Sequence, residues 1–189
     1  VASCWNEAAP CNTALMRQAH AVSVGVKRAG GTPCQDAATL VRSVQVVITS
    51  LPNAAALLAS ADTLAQEGHK GLLVIETSTL DIQDKQQARE VMAKQGVILL
   101  DCPLSGTGAQ AKRKDLTVYA SGSADSIRRL KPVFEGFSKA HFDLGAFGNG
   151  MRMKLMANLL VAIHNVASAK SVHAMRRSRR RAGRSSTST

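Results

Sequence analysis

Residues 44–53 read VQVVITSLPN, a run of β-branched and aliphatic side chains that stops at Pro52-Asn53. A strand this continuously apolar needs cover on both faces, which is the condition of a strand inside a parallel sheet flanked by crossover helices. The chain downstream repeats that plan. Ala54 to Glu67 is rich in Ala and Leu at helical spacing and ends at Gly68, after which GLLVIE (Gly71 to Glu76) supplies a second buried strand. Thr77-Ser78-Thr79 follows as a hydroxyl cluster. Asp81 to Gln95 then places acids early and Lys94 late, as the helix dipole favours, with Gly96 as its stop. VILLD (Val97 to Asp101) is a third buried strand. The fold class is therefore α/β.

Further along, Leu116 to Ala120 alternates more and reads as a fourth strand suited to a sheet edge. Ser123 caps a helix reaching about Phe137 and bent at Pro132, and His141 to Leu144 forms a short last strand closed by Gly145, Gly148 and Gly150. Met151 to about Met175 contains neither Gly nor Pro, enough for a helix of roughly 37 Å. Residues 1–43 have no clear period, although His20 to Val26 could form a strand and Gly30-Gly31 a turn.

The 189 residues suffice for one main core. An aromatic content of 3% argues against a base-stacking surface. The net charge of +11 is concentrated, because Arg176, Arg177, Arg179, Arg180, Arg181 and Arg184 supply more than half of it within a segment devoid of acids. The rest is only mildly basic. That tail reads as disordered, and a nucleic-acid-binding function would rest on it alone, through phosphate contacts without sequence specificity. Cys4, Cys11, Cys34 and Cys102 form no C-x-x-C pair, which suggests a reducing, cytoplasmic compartment. No eighteen consecutive apolar residues occur and no secretory leader pattern opens the chain, so neither a membrane span nor export is expected.

In an open α/β sheet, ligands sit beyond the carboxyl ends of the strands. Those ends read Ser50-Leu51-Pro52-Asn53, Thr77-Ser78-Thr79 and Asp101-Cys102-Pro103-Leu104-Ser105-Gly106-Thr107-Gly108. Small residues, hydroxyls and backbone N–H groups there suit a phosphate or carboxylate. A second cluster is Gly148-x-Gly150-x-x-x-Lys154-x-x-x-Asn158, in which Lys154 and Asn158 share one helical face. A desolvated lysine can exchange a proton with a carbonyl or hydroxyl oxygen, and a neighbouring amide can orient that oxygen.

Taken in order, VVITSLPN, ETSTLD, DCPLSGTGAQA and GNGMRMKLMAN resemble the β-hydroxyacid dehydrogenase family, which includes 3-hydroxyisobutyrate dehydrogenase, tartronate semialdehyde reductase and, more distantly, 6-phosphogluconate dehydrogenase. The resemblance covers roughly residues 40 to 175 and rests on four ordered motifs. It implies a Rossmann-type, doubly wound, mainly parallel sheet over residues 1–148, with 1–43 poorly matched. A long interdomain helix over 149–175 and the basic tail of 176–189 would follow.

It also implies NAD or NADP as cofactor and hydride transfer to or from a small 3-hydroxy acid or its semialdehyde. Lys154 would be the catalytic acid/base, and Ser105, Gly106, Thr107 and Asn158 would bind substrate. Leu51, Pro52, Ser78 and Thr79 would line the cofactor. Self-association through the long helix is a further expectation.

Four departures from the family stand out. The dinucleotide loop should fall at Ser3-Cys4-Trp5-Asn6-Glu7-Ala8, where every glycine position holds another residue, and Trp5 would block close approach of a pyrophosphate. Val26 replaces the ribose-binding acid, followed by Lys27-Arg28, which could favour a 2′-phosphate. The family's Ser-Gly-Gly reads Ser105-Gly106-Thr107, and the residues after Met175 do not supply a C-terminal helical domain. A chain truncated at its C-terminus, with a degraded glycine loop, is the expectation, and a non-catalytic remnant of the family is the alternative function.

Other polar residues read as ordinary. Asp101 is expected to form a turn, Cys102 to be a buried apolar filler, and Lys112-Arg113-Lys114 to be a solvated loop that could otherwise attract an anion. His164 and His173 do not share a helix face, and no metal site is expected.

Overall fold

The computed structural model describes residues 30–34 and 36–185. The segments 3–8 and 20–28, including the expected glycine loop and Lys27-Arg28, lie outside the described residues. The chain divides into two compact units, residues 1–151 and 152–189.

Within the first unit the order is α1 (Ala37–Ser43), β1 (Val46–Thr49), α2 (Ala54–Glu67), β2 (Leu73–Glu76), α3 (Ile82–Ala93), β3 (Ile98–Asp101), β4 (Leu104–Ser105), α4 (Gly108–Ala111), β5 (Thr117–Ala120), α5 (Ala124–Arg129), α6 (Lys131–Phe137) and β6 (Ala140–Asp143). Strands β1, β2 and β3 pair in parallel in that order. Val47, Val74 and Leu99 face a core built with Val41 of α1, Leu57, Ala61 and Leu64 of α2, and Ala88 and Met92 of α3. Leu73, Ile75 and Leu100 face the other way, toward Val118 and Ala120 of β5 and Ile127, Leu130 and Phe134 of α5 and α6. Successive side chains of a strand point to opposite faces, so this division is what helices on both sides of one sheet require. The sheet is doubly wound, as expected.

Helix starts are set by short polar side chains. Asn53 accepts from the Ala56 N–H, Asp81 from Gln83 and Ser123 from Ser126, each supplying a partner to an end N–H that the helix itself leaves unpaired.

Three expectations change. The segment 116–120 is not an edge strand, because β5 lies between β4, antiparallel to it, and β6, parallel to it. The two-residue β4 is too short to show a period, and an antiparallel bridge between Asp101 and Ser121 connects this sheet to the end of β3. The helix expected to bend at Pro132 is instead two helices. Leu130 ends α5 at φ −86°, ψ −1°, and α6 restarts with Pro132 in its first turn, where the missing N–H is harmless.

Finally, the long helix α7 (Asn149–Ser185) runs past Met175 into the arginine-rich segment expected to be disordered. Arg and Ala are good helix formers, and cations at a helix C-terminus complement its dipole. By length and composition its Asn149–Arg177 portion is also apolar enough to cross a membrane, in contrast to the reading from uninterrupted apolar runs. Asn158, His164 and Asn165 interrupt the run yet are outweighed in an eighteen-residue window.

Candidate active site

The carboxyl ends of β1 and β2 bring two of the expected cofactor residues together. The Leu51 N–H donates to Ser78 Oγ at 2.6 Å, across 27 positions of sequence. Just before it, the Thr77 hydroxyl and N–H both donate to the Thr49 carbonyl, at 2.7 and 2.9 Å. Ser78 is buried, Leu51 half-buried, and Pro52 and Thr79 exposed. The Thr49 hydroxyl oxygen is buried with no hydrogen-bond partner among the described residues. An orphaned polar atom on this edge, beside exposed loop residues, suits a ligand that brings its own hydroxyls. The described residues of the edge thus fit the ribose-bearing part of a dinucleotide.

Ser105 ends β4 and is half-buried, whereas Gly106 and Thr107 are exposed. Gly106 has φ +139°, and a Cβ there would lie 2.6 Å from Leu116 Cδ2, so the turn demands glycine. Thr107, expected among the substrate-binding residues, has its N–H engaged within the turn: it donates to Gln110 Oε1 at 2.9 Å, while its hydroxyl accepts from the Gln110 N–H at 3.3 Å. This reciprocal cap starts α4. Lys112, Arg113 and Lys114 are exposed, in keeping with a solvated loop.

Lys154 and Asn158 belong to the second unit, one turn apart on α7, the first half-buried and the second exposed.

The sequence reading missed the buried polar cluster at the centre of the first unit. Asp101 is not a turn-former: it is fully buried and paired with Lys85 Nζ, 2.7 Å from Oδ1. The same ammonium lies 2.6 Å from Glu76 Oε2, and Lys85 itself is fully buried. Glu76 Oε1 accepts from the Ser78 N–H at 2.9 Å. Asp101 Oδ2 accepts from the Ser121 hydroxyl at 3.1 Å and the Met151 N–H at 2.8 Å, and Ser121 Oγ accepts from the Gly150 N–H at 2.9 Å.

Two carboxylates thus share one ammonium. The excess negative charge lies against the first N–H groups of α7, the positive end of that helix's dipole. Only the places of these residues at strand ends and on a helix were legible in the sequence, and the structure supplies the rest. Glu76 and Asp101 each end a neighbouring strand in matched register, and Lys85 falls on the buried stripe of α3 with Ala88 and Met92. Beside them burial pushes the Cys102 thiol pKa well up from its ordinary value, so Cys102 is an inert filler as expected. Among the described residues no cluster of His, Cys, Asp and Glu suits a metal ion.

Comparison with known proteins is consistent with this geometry. Residues 7–148 match the family model of the NAD binding domain of 6-phosphogluconate dehydrogenase. The L-threonate dehydrogenase of Cupriavidus necator is 32% identical, over 76% of this chain and 50% of its own length. The mitochondrial 3-hydroxyisobutyrate dehydrogenase of Mus musculus is 27% identical, over 78% and 45% respectively. Among solved structures, the 3-hydroxyisobutyrate dehydrogenase of Mycobacterium tuberculosis with L-serine superposes with a TM-score of 0.76 at 26% identity, covering 81% of this chain and 53% of that one. The chain spans about half the length of the curated relatives it matches. With a parallel doubly wound sheet, paired loops at its carboxyl edge and a match over most of its residues, the chain belongs to the family of NAD-binding domains of 6-phosphogluconate dehydrogenase.

Proposed function

We propose that this chain serves an NAD(P)-dependent oxidoreductase that interconverts a small 3-hydroxy acid and its semialdehyde. The observation that carries the reading is the Leu51 N–H to Ser78 Oγ bond, which ties the loops after β1 and β2 into one edge beyond the parallel strands. Leu51, Pro52, Ser78 and Thr79 hold the dinucleotide there. When bound, its nicotinamide supplies or accepts the hydride. Ser105 and Gly106 hold the substrate carboxylate, with Thr107 shaping the turn instead of donating to it. Lys154 Nζ takes the proton from the substrate hydroxyl in oxidation and returns it in reduction, while Asn158 orients that oxygen. Self-association through α7, where Leu155, Leu159, Ile163 and Val166 are exposed, belongs to the same reading, and light scattering on the purified chain tests it.

The deciding experiment is fluorescence titration of the folded chain with NADH and NADPH. Saturable binding is expected, weakened by Ser78→Ala and unaltered by Lys154→Ala, because the lysine acts on substrate. In a coupled assay with 3-hydroxy acids, Lys154→Ala should lower kcat by at least about 100-fold. Absence of binding by a folded chain would instead favour a family member without cofactor, consistent with Ser3, Trp5 and Ala8 standing at glycine positions.

A further inference from the structure

The buried cluster is more than an ion pair, because it is continuous from one functional loop to the start of the long helix. From the loop side, the Leu51 N–H donates to Ser78 Oγ, and the Ser78 N–H donates to Glu76 Oε1. Glu76 Oε2 forms an ion pair with Lys85 Nζ at 2.6 Å, and Lys85 Nζ donates to Asp101 Oδ1. On the far side Asp101 Oδ2 accepts the Met151 N–H and the Ser121 hydroxyl, and Ser121 Oγ accepts the Gly150 N–H. Every side chain between Ser78 and Met151 in this series is at least nine-tenths buried. Packing leaves the helix start little freedom, since a Cβ on Gly150 would lie 2.3 Å from the Tyr119 carbonyl oxygen and 2.7 Å from that of Asp101.

We propose that Lys85 is a positioning residue: by holding Glu76 and Asp101 at once, it fixes the Leu51–Ser78 loop pair and the first turn of α7 in one mutual arrangement. Neither arm would hold alone. Without the ammonium, two buried carboxylates would repel each other, and each arm would lose the charge that orients its acceptor. The inference depends on the functional reading only for the purpose of the loops. Its test requires no dinucleotide, so a negative titration and a negative result here remain separate findings.

Coupling between two ends is reciprocal, and amide resonances report it site by site. In Glu76→Gln, the 1H–15N resonances of Leu51 and Ser78 should shift because they adjoin the change. Those of Gly150 and Met151, which Glu76 does not touch, should shift with them, while Leu64 in the α2 core stays in place. In Ser121→Ala the direction reverses: Gly150 and Met151 respond directly, and Leu51 and Ser78 respond through Lys85. In Lys85→Met, adding Ser121→Ala should no longer move the Leu51 and Ser78 resonances. Shifts confined to the altered end, or spread evenly over the core, would overturn the proposal in favour of a merely structural pair. Should either charge variant fail to fold, Ser121→Ala alone decides, since it leaves every charge intact.

Discussion

Lys85 must place an ammonium and a four-carbon stem inside a core, and it does so on the stripe of α3 that also carries Ala88 and Met92. Taking that charge out of water is costly, and the Glu76 and Asp101 carboxylates offset the cost at 2.6 and 2.7 Å. Removing one member leaves the others uncompensated. Lys85→Met is expected to lose about 3–5 kcal/mol of stability, read as a lowered urea midpoint. A loss below about 1 kcal/mol would mean that the carboxylates are solvated after all. Cys102 makes a second test at this scale. Its thiol pKa is raised by burial from 9.0, so its contribution to stability is present below pH 9.0 and is lost as pH rises past that value, where the unfolded thiol ionises and the folded one does not. Alkylation of the folded chain, mapped by peptide mass, should spare Cys102 and modify half-buried Cys34. Modification of both at equal rates would place Cys102 in contact with solvent.

At the scale of elements, legibility followed burial. Strands β2 and β3 were readable because LVIE and ILLD are covered on both faces, and β1 was readable from the β-branched run VVIT although Ile48 is exposed. Strand β4 was not, since two residues have no period, and the break at Leu130 depends on a backbone angle that residue identity does not announce. Within the site, the paired loops lay where strand ends predict, but Glu76, Lys85 and Asp101 did not stand out, because charged residues are ordinarily solvated and only tertiary packing brings these three together. The same packing separates two glycines that look alike in sequence. Gly150→Ala would press a methyl into the carbonyl oxygens of Tyr119 and Asp101, which are backbone and cannot swing aside, so a loss of at least about 2 kcal/mol is expected. Gly108→Ala, with nothing within 4 Å at the start of α4, should gain about 0.5 kcal/mol. Equal thermal shifts for the two variants would contradict the close approach at Gly150.

For the whole molecule, the two units draw on different sources of stability. The first has a sheet with a core on each face. In the second, every described side chain from Asn158 to Arg177 is exposed, including Leu159, Leu160, Ile163, Val166 and Val172. Residues 149–189 contain no acid, so no helical Glu–Lys pairs can support that segment. A helix without a packed face relies on propensity and its own hydrogen bonds, which are marginal in water. Heating should therefore produce a gradual early loss of helical circular dichroism, followed by one cooperative transition of the first unit. Amides from Leu159 to Val172 should exchange at least about 100-fold faster than those of Val74 and Val118. The mechanism behind this expectation is exposure, so it has a concentration signature: if copies of the chain or another protein cover the apolar row, the early phase should merge with the cooperative one as that partner is added. A single sharp transition in dilute, monomeric chain would show that α7 has cover of its own and would overturn the division into two sources of stability.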